Sequence, residues 1–165
     1  MTQTIYLDMD GVVADWISAV TQITGKTLIE GERWSDSEWR QLVQFQRIYQ
    51  NLPLMRDARF LVQQTELIAA EHKYEVKFLT AVPRRNDFPH AFEDKVNWAR
   101  QYWPHIPVWF GPYSEDKKRK SAPGQVLIDD RADNIQQWNE AGGCGILYTG
   151  WANPALTQLR SYING

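Results

Sequence analysis

The chain is short of several things. Its 165 residues include one cysteine, Cys144, so no internal disulfide can form and a disulfide-stapled secreted scaffold is excluded. Cys144 sits in Gly142-Gly143-Cys144-Gly145-Ile146, a turn entering a strand with no histidine near it in sequence. It reads as a buried structural thiol rather than a nucleophile. Met1-Thr2-Gln3-Thr4 shows no basic stretch followed by an apolar one, so no signal peptide is expected, and no apolar run approaches membrane-spanning length. With no disulfide framework, this points to a cytoplasmic setting. The formal net charge of −2 leaves no basic footprint for duplex nucleic acid and no polybasic patch for a membrane. A small anionic substrate stays open, because local charge at a site outweighs the total.

What is present is ordinary for a folded domain. Apolar residues make up 43% and charged residues 23%, and the length suits one domain with a sizeable core. Thr4-Ile5-Tyr6-Leu7 is a β-rich run ending in Asp8-Met9-Asp10-Gly11, a buried strand followed by a loop. Val13, Trp16, Ile17, Val20 and Ile23 recur at helical spacing up to Gly25. Ser35-Asp36-Ser37-Glu38 opens a second helix, with Trp39, Leu42, Val43, Gln46 and Tyr49 on one face before Pro53. A third helix spans about 58–72, with Leu61, Thr65, Ile68 and Ala69 inward. Glu75–Leu79 is a strand closing on Thr80. Phe92, Val96, Ala99 and Trp103 mark a fourth helix, and Ile106–Phe110 is a strand. A polar, basic loop follows at 111–120. Val126-Leu127-Ile128 is a buried strand meeting Asp129-Asp130, and helix, strand and helix close the chain.

Strands alternating with helices imply an α/β fold: a Rossmann-like parallel sheet of about five strands with helices on both faces. The stretch between the first two strands is too long for one crossover. It predicts a small helical cap at 17–54, leaving a core of 1–16 and 55–165. No repeat or low-complexity tract is visible.

Chemistry-bearing residues fall at the C-terminal ends of the predicted strands, where ligands bind in open α/β sheets. Asp8 and Asp10 follow the first, Thr80 the second, a lysine-rich loop the third and Asp129-Asp130 the fourth. Taken singly, Asp-x-Asp-Gly is a turn, Asp129-Asp130-Arg131 a helix cap and Lys117–Lys120 a solvated charge run. Together they are far less easily an accident. Up to four carboxylates would meet on one rim, where like charges about 4 Å apart repel by roughly 4 kcal/mol at an effective dielectric near 20. Such crowding calls for a cation or raised pKa values. Oxygen donors without His or Cys nearby favour Mg²⁺ over zinc.

The ordered set resembles the four motifs of the haloacid dehalogenase (HAD) superfamily of phosphohydrolases. These are Asp8-Met9-Asp10-Gly11-Val12-Val13-Ala14-Asp15, Phe78-Leu79-Thr80, a lysine within Asp116-Lys117-Lys118-Arg119-Lys120, and Val126-Leu127-Ile128-Asp129-Asp130-Arg131. The resemblance spans about Ile5 to Tyr148. Asp-Met-Asp-Gly-Val, Leu-Ile-Asp-Asp-Arg and Asn51-Leu52-Pro53-Leu54-Met55 further resemble the 5′(3′)-deoxyribonucleotidase branch and its phage relatives. Lys117 is favoured as the motif-three lysine, while spacing alone leaves Lys118 and Lys120 open.

This resemblance implies phosphate removal through an aspartyl-phosphate. Asp8 is the expected nucleophile. Asp10 is the expected acid and then base, with its backbone carbonyl as a metal ligand. Thr80 would donate to phosphate, Lys117 would offset charge, and Asp8, Asp10, Asp130 and Asp129 would serve Mg²⁺, Asp130 directly. Gly11 would permit a tight turn bringing backbone N–H groups near phosphate. Gly11, Trp16, Phe45, Ala81 and Arg131 are the candidate substrate contacts, with Arg84 a further one; Trp34, Trp39 and Tyr49 join Trp16 and Phe45 as rings able to stack on a base. The expected substrate is a small phosphate ester, a (deoxy)nucleoside monophosphate first among them. Another small phosphate ester, a nucleic-acid 3′-phosphate end, or an idle binding protein of the same fold are the alternatives. A phosphorylation-receiver domain fits poorly, since its acidic pair comes early and it lacks a helical insertion. Homodimerisation through the cap or the last helix is left open.

Overall fold

The computed structural model describes residues 2–25, 35–83 and 89–165, and only the backbone of Gln44 and Phe45. The strands β1 (Thr4–Leu7), β2 (Glu75–Thr80), β3 (Val108–Phe110), β4 (Val126–Asp129) and β5 (Cys144–Leu147) form one sheet in the order β3-β2-β1-β4-β5, every pair parallel. The central β1 and β4 are buried at every position, which is why they read as continuous apolar runs rather than alternating ones. One face of the sheet, with Ile5, Leu7, Phe78, Val126 and Ile128, joins the main core. The other, with Tyr6, Leu79 and Leu127, packs on Trp138.

The sheet grows outward from β1 in one direction to β3, then restarts on its other side at β4. This reversal opens a crevice beyond the C-terminal ends of β1 and β4. The predicted fold class is what the chain adopts. Among the described residues, no helix is long and apolar enough to cross a membrane.

The helices depart from sequence periodicity in instructive places. Helix α1 (Trp16–Thr24) starts after Val13, because the N–H groups of Val12, Val13 and Ala14 all turn back onto the Met9 carbonyl. Asp15 caps it through Ser18 N–H, and Gly25 ends it in the left-handed region. The expected single helix from Ser35 towards Pro53 is broken. Helix α2 (Asp36–Arg40) opens with a Ser35–Glu38 capping box, passes into a π-helical turn at Gln41–Phe45, and resumes as a 3₁₀ turn at Ile48–Gln50. Between them Arg47 takes φ 50°, and its guanidinium makes a two-pronged contact with the fully buried Asp94. That tertiary ion pair outweighs local helix preference. Leu42, Val43, Ile48, Tyr49 and Leu52 from this segment belong to the main core.

Helix α3 (Ala58–His72) buries Leu61, Thr65, Ile68 and Ala69 as its periodicity predicts. Helix α4 (His90–Tyr102) follows the expected stripe in part, since Ala99 and Trp103 are buried, but the face it buries is wider. Its buried face is Ala91, Asp94, Lys95, Trp98 and Ala99, with Phe92 and Val96 half-buried. Two charges thus occupy core positions. Helices α5 (Ala132–Glu140) and α6 (Ala152–Ile163) complete the layers, and the basic loop contains a 3₁₀ turn at Ser114–Lys120. Cys144 is half-buried at the start of β5.

Candidate active site

Asp8 directly follows β1, its N–H donating to the Ile128 carbonyl of β4 at 2.9 Å. Its side chain is 8% exposed. Across the crevice the 3₁₀ turn delivers Lys117, whose buried Nζ lies 2.7 Å from Asp8 Oδ1 and 2.7 Å from Asp129 Oδ2. Gly111 makes this possible, since a Cβ there would meet Lys117 N at 2.7 Å. Lys118 is exposed, and Lys120 lies over the Trp109 ring.

Asp129 is engaged at both oxygens. Oδ2 also accepts from Asn134 Nδ2 at 3.0 Å, and Oδ1 accepts from Arg131 N–H at 2.9 Å. Asp130 stands nearer solvent, against Gly11. At Gly11 φ is +83°, and a Cβ would lie 2.1 Å from Asp130 Oδ2. The Gly11 N–H donates to the Ala14 carbonyl at 2.8 Å, so it is spent within the loop. Missing bulk, as well as turn geometry, is what this glycine contributes.

Oxygens of Asp8, Asp129 and Asp130 lie within 4.8 Å of one another. Burial, and then the neighbouring Asp129 charge, push the Asp8 carboxyl up to about 8 against the opposing pull of Lys117. The same two causes push Asp130 up to about 7. Lys117 is pushed up by Asp8 and Asp129 against the opposing effect of its own burial.

Asp10 and Thr80, at the ends of β1 and β2, meet through a lysine that sequence reasoning missed. Lys95 Nζ donates to Asp10 Oδ2 and, at 3.0 Å, to Thr80 Oγ1. Asp10 Oδ1 is buried and, among the described residues, has no hydrogen-bond partner.

Residues 2–161 match the family described as 5′ nucleotidase, deoxy (pyrimidine), cytosolic type C protein (NT5C). The chain belongs to that family. It is a nucleotidase-type phosphoric monoester hydrolase of the HAD superfamily. The fold is similar to that of a HAD-superfamily hydrolase from Ehrlichia chaffeensis, with TM-score 0.51 and 13% identity over 99% of this chain and 98% of that one. It is also similar to the HAD-hydrolase YfnB from Bacillus subtilis, with TM-score 0.56 and 11% identity over 99% of each chain. No curated protein sequence matches.

The remaining candidates of this nucleotidase are placed as follows. Trp16 stacks on Trp39 at 5.5 Å and on Tyr49 at 5.3 Å between ring centroids, an aromatic group rooted just beyond the loop that follows β1. Burial, and then the charge of Asp10, push the Tyr49 phenol well up. Ala81 is half-buried in the loop just beyond Thr80. The Arg131 guanidinium is engaged by Asp133 at 3.1 and 2.7 Å on the exposed side, so it is the backbone of Arg131 that reaches the site. Trp34, Arg84 and the Phe45 side chain lie outside the described residues.

Lys95 had a faint signal in the sequence. Asp94 and Lys95 stand three and four residues after Ala91, and Trp98 and Ala99 follow at the same spacing, so one helical face carries both charges inward. Asn134 carried none, because it is a single polar side chain in the first turn of α5 that reaches Asp129 through its amide.

Proposed function

We propose that the chain is a magnesium-dependent 5′(3′)-nucleotidase that hydrolyses (deoxy)nucleoside monophosphates through an aspartyl-phosphate on Asp8. The observation that carries this reading is the state of Asp8. One of its oxygens is tied to the buried ammonium of Lys117, in the crevice beyond the C-terminal ends of β1 and β4.

The residues fit a hard divalent cation. The donors are oxygens, they converge within 4.8 Å, and burial together with the neighbouring Asp129 charge pushes Asp8 and Asp130 up. Asp8, Asp130 and the Asp10 backbone carbonyl would hold the ion. Asp129, with both oxygens already engaged, would serve through Lys117. Bound there, Mg²⁺ supplies neutralising charge for the transferring phosphoryl group. YfnB, with the same fold, is described as bound to magnesium.

Asp8 attacks phosphorus, and the bond to the leaving sugar oxygen breaks as Asp10 gives that oxygen a proton. Water then attacks the same phosphorus, the bond to Asp8 breaks, and Asp10 takes the water's proton. Thr80 Oγ1 accepts from Lys95, leaving its O–H free to donate to a phosphate oxygen. Lys117 holds the Asp8 carboxylate and offsets charge gathering at phosphorus.

Residues 17–54 are read as a cap over this site, with the Trp16, Trp39 and Tyr49 rings as a wall for a base, where one stack is worth roughly 1–3 kcal/mol. The family description, a deoxy (pyrimidine) nucleotidase, supports that substrate class. A panel of nucleoside and deoxynucleoside 5′- and 3′-monophosphates, assayed with Mg²⁺ and with chelator, tests the reading. Release of phosphate that needs Mg²⁺ and vanishes in Asp8→Asn is expected. Hydrolysis of a generic aryl phosphate with every nucleotide inert would remove the substrate assignment and keep the phosphatase.

A further inference from the structure

Lys95 has no exposed surface, and a buried ammonium is costly unless its donors are met. Here they are met by three different elements. Nζ donates to Asp10 Oδ2 in the loop after β1 and to Thr80 Oγ1 at the end of β2, and it lies 4.3 Å from the centroid of the Tyr49 ring. The next residue back, Asp94, is equally buried and is gripped by Arg47 from the segment that carries Tyr49. Helix α4 therefore fastens this segment and the Asp10 loop through adjacent side chains. The contact at Asp10 is selective: Oδ2 is taken, while Oδ1 is buried and without a partner among the described residues.

We infer that Lys95 is a positioning residue for the proton-transfer step: it immobilises Asp10 through Oδ2, which leaves Oδ1 as the oxygen without a protein partner to carry the proton, and it orients the Thr80 hydroxyl towards phosphate. This deepens the proposed function and rests on Asp10 being the acid and base. Lys95 touches neither phosphorus nor the leaving group. Its effect runs through the direction in which the Asp10 carboxyl points.

Leaving-group dependence separates this role from simple support of the fold. The parameter kcat/KM reports steps up to departure of the leaving group. A nucleoside leaving as an alkoxide needs a proton there, whereas p-nitrophenolate does not. Wild type, Asp10→Asn and Lys95→Met are compared on a deoxynucleoside monophosphate and on p-nitrophenyl phosphate, with thermal unfolding of each. Lys95→Met is expected to lower kcat/KM for the nucleotide by about 100-fold, the lower range for a displaced acid. The loss on p-nitrophenyl phosphate should be several-fold smaller, following the pattern of Asp10→Asn. Lys95→Gln, which keeps a donor amide at shorter reach, should recover part of the nucleotide loss, and it carries the same comparison if the Met variant does not fold. Equal losses on both substrates, or none, overturn the inference while Asp10→Asn still shows its selective loss. If Asp10→Asn itself shows no selectivity, the acid–base reading beneath it has failed instead.

Discussion

Gly11 and Asp130 occupy the same space from opposite sides: the position a Gly11 Cβ would take lies 2.1 Å from Asp130 Oδ2. One loop has no side chain so that the other can bring a carboxylate to the rim. Gly11→Ala should therefore act twice. The φ of +83° costs an alanine about 1–2 kcal/mol, and Asp130 must swing aside. Activity should fall by about 100-fold, the scale set by a misplacement near 1 Å, with weaker Mg²⁺ binding by isothermal titration. Unchanged Mg²⁺ affinity would mean that Asp130 does not hold the ion.

Replacing Asp8 should separate catalysis from stability. Asp8→Asn deletes the proposed nucleophile and one of three crowded carboxylates, while Lys117 keeps its 2.7 Å contact with Asp129. Turnover should drop to background. The unfolding temperature in chelator should equal or exceed that of the wild type, since a carboxyl pushed up to about 8 is held at a cost when ionised. A large loss of stability would contradict this.

The pH dependence of the metal-free chain follows with a definite sign. In the folded chain the Asp8 and Asp130 carboxyls are pushed up to about 8 and about 7, above an unfolded carboxylate near 4. Across that window the folded chain binds more protons than the unfolded one, so this contribution to stability is complete below about 4 and lost as pH rises to about 8. Magnesium should offset the loss, making its stabilising shift in Tm larger at pH 8 than at pH 5.5. Thermal melts at both pH values, with Mg²⁺ and with EDTA, read this directly. A shift no larger at pH 8 would count against the ion sitting among these carboxylates.

Arg47→Ala strands the fully buried Asp94 without its cation. Because the guanidinium is itself partly exposed, the loss of stability should be smaller than that from breaking a wholly buried pair. Urea denaturation should show it. Arg47→Ala with Asp94→Asn should recover part of the loss, because the double variant no longer buries a lone charge.

Trp16→Ala removes a ring stacked on both Trp39 and Tyr49. If these rings receive the base, KM for a nucleotide should rise by about 10-fold or more, from 1–3 kcal/mol of stacking. The kcat/KM for p-nitrophenyl phosphate, which has no base, should change little. Parallel losses on both substrates would assign Trp16 to packing alone.

The strands and the acids that follow them were legible because both are local patterns. Thr4–Leu7 and Val126–Ile128 are apolar runs that stop at aspartates, and each stops there in the fold. The basic run after β3 was visible, but spacing left open which lysine turns inward. The 3₁₀ turn at Ser114–Lys120 decides it, burying Lys117 while Lys118 faces outward. Helix α4 also buries Asp94 and Lys95, which the stripe of Phe92, Val96, Ala99 and Trp103 leaves out, because they find Arg47, Asp10 and Thr80 inside. The break at Arg47 was invisible for the same reason. Its cause lies 47 residues further along the chain.

By itself, the sequence determined the order of strands and helices and the gathering of Asp8, Asp10, Thr80 and Asp129-Asp130 on one rim. Apolar periodicity specifies the elements, and right-handed crossovers leave few ways to arrange them. Only the tertiary structure decided which lysine reaches Asp8, which oxygen of Asp10 is tied down, why Gly11 must lack a side chain and where the Arg131 guanidinium goes. Those outcomes depend on the direction of single side chains, and direction is set by partners distant in sequence that no local pattern encodes.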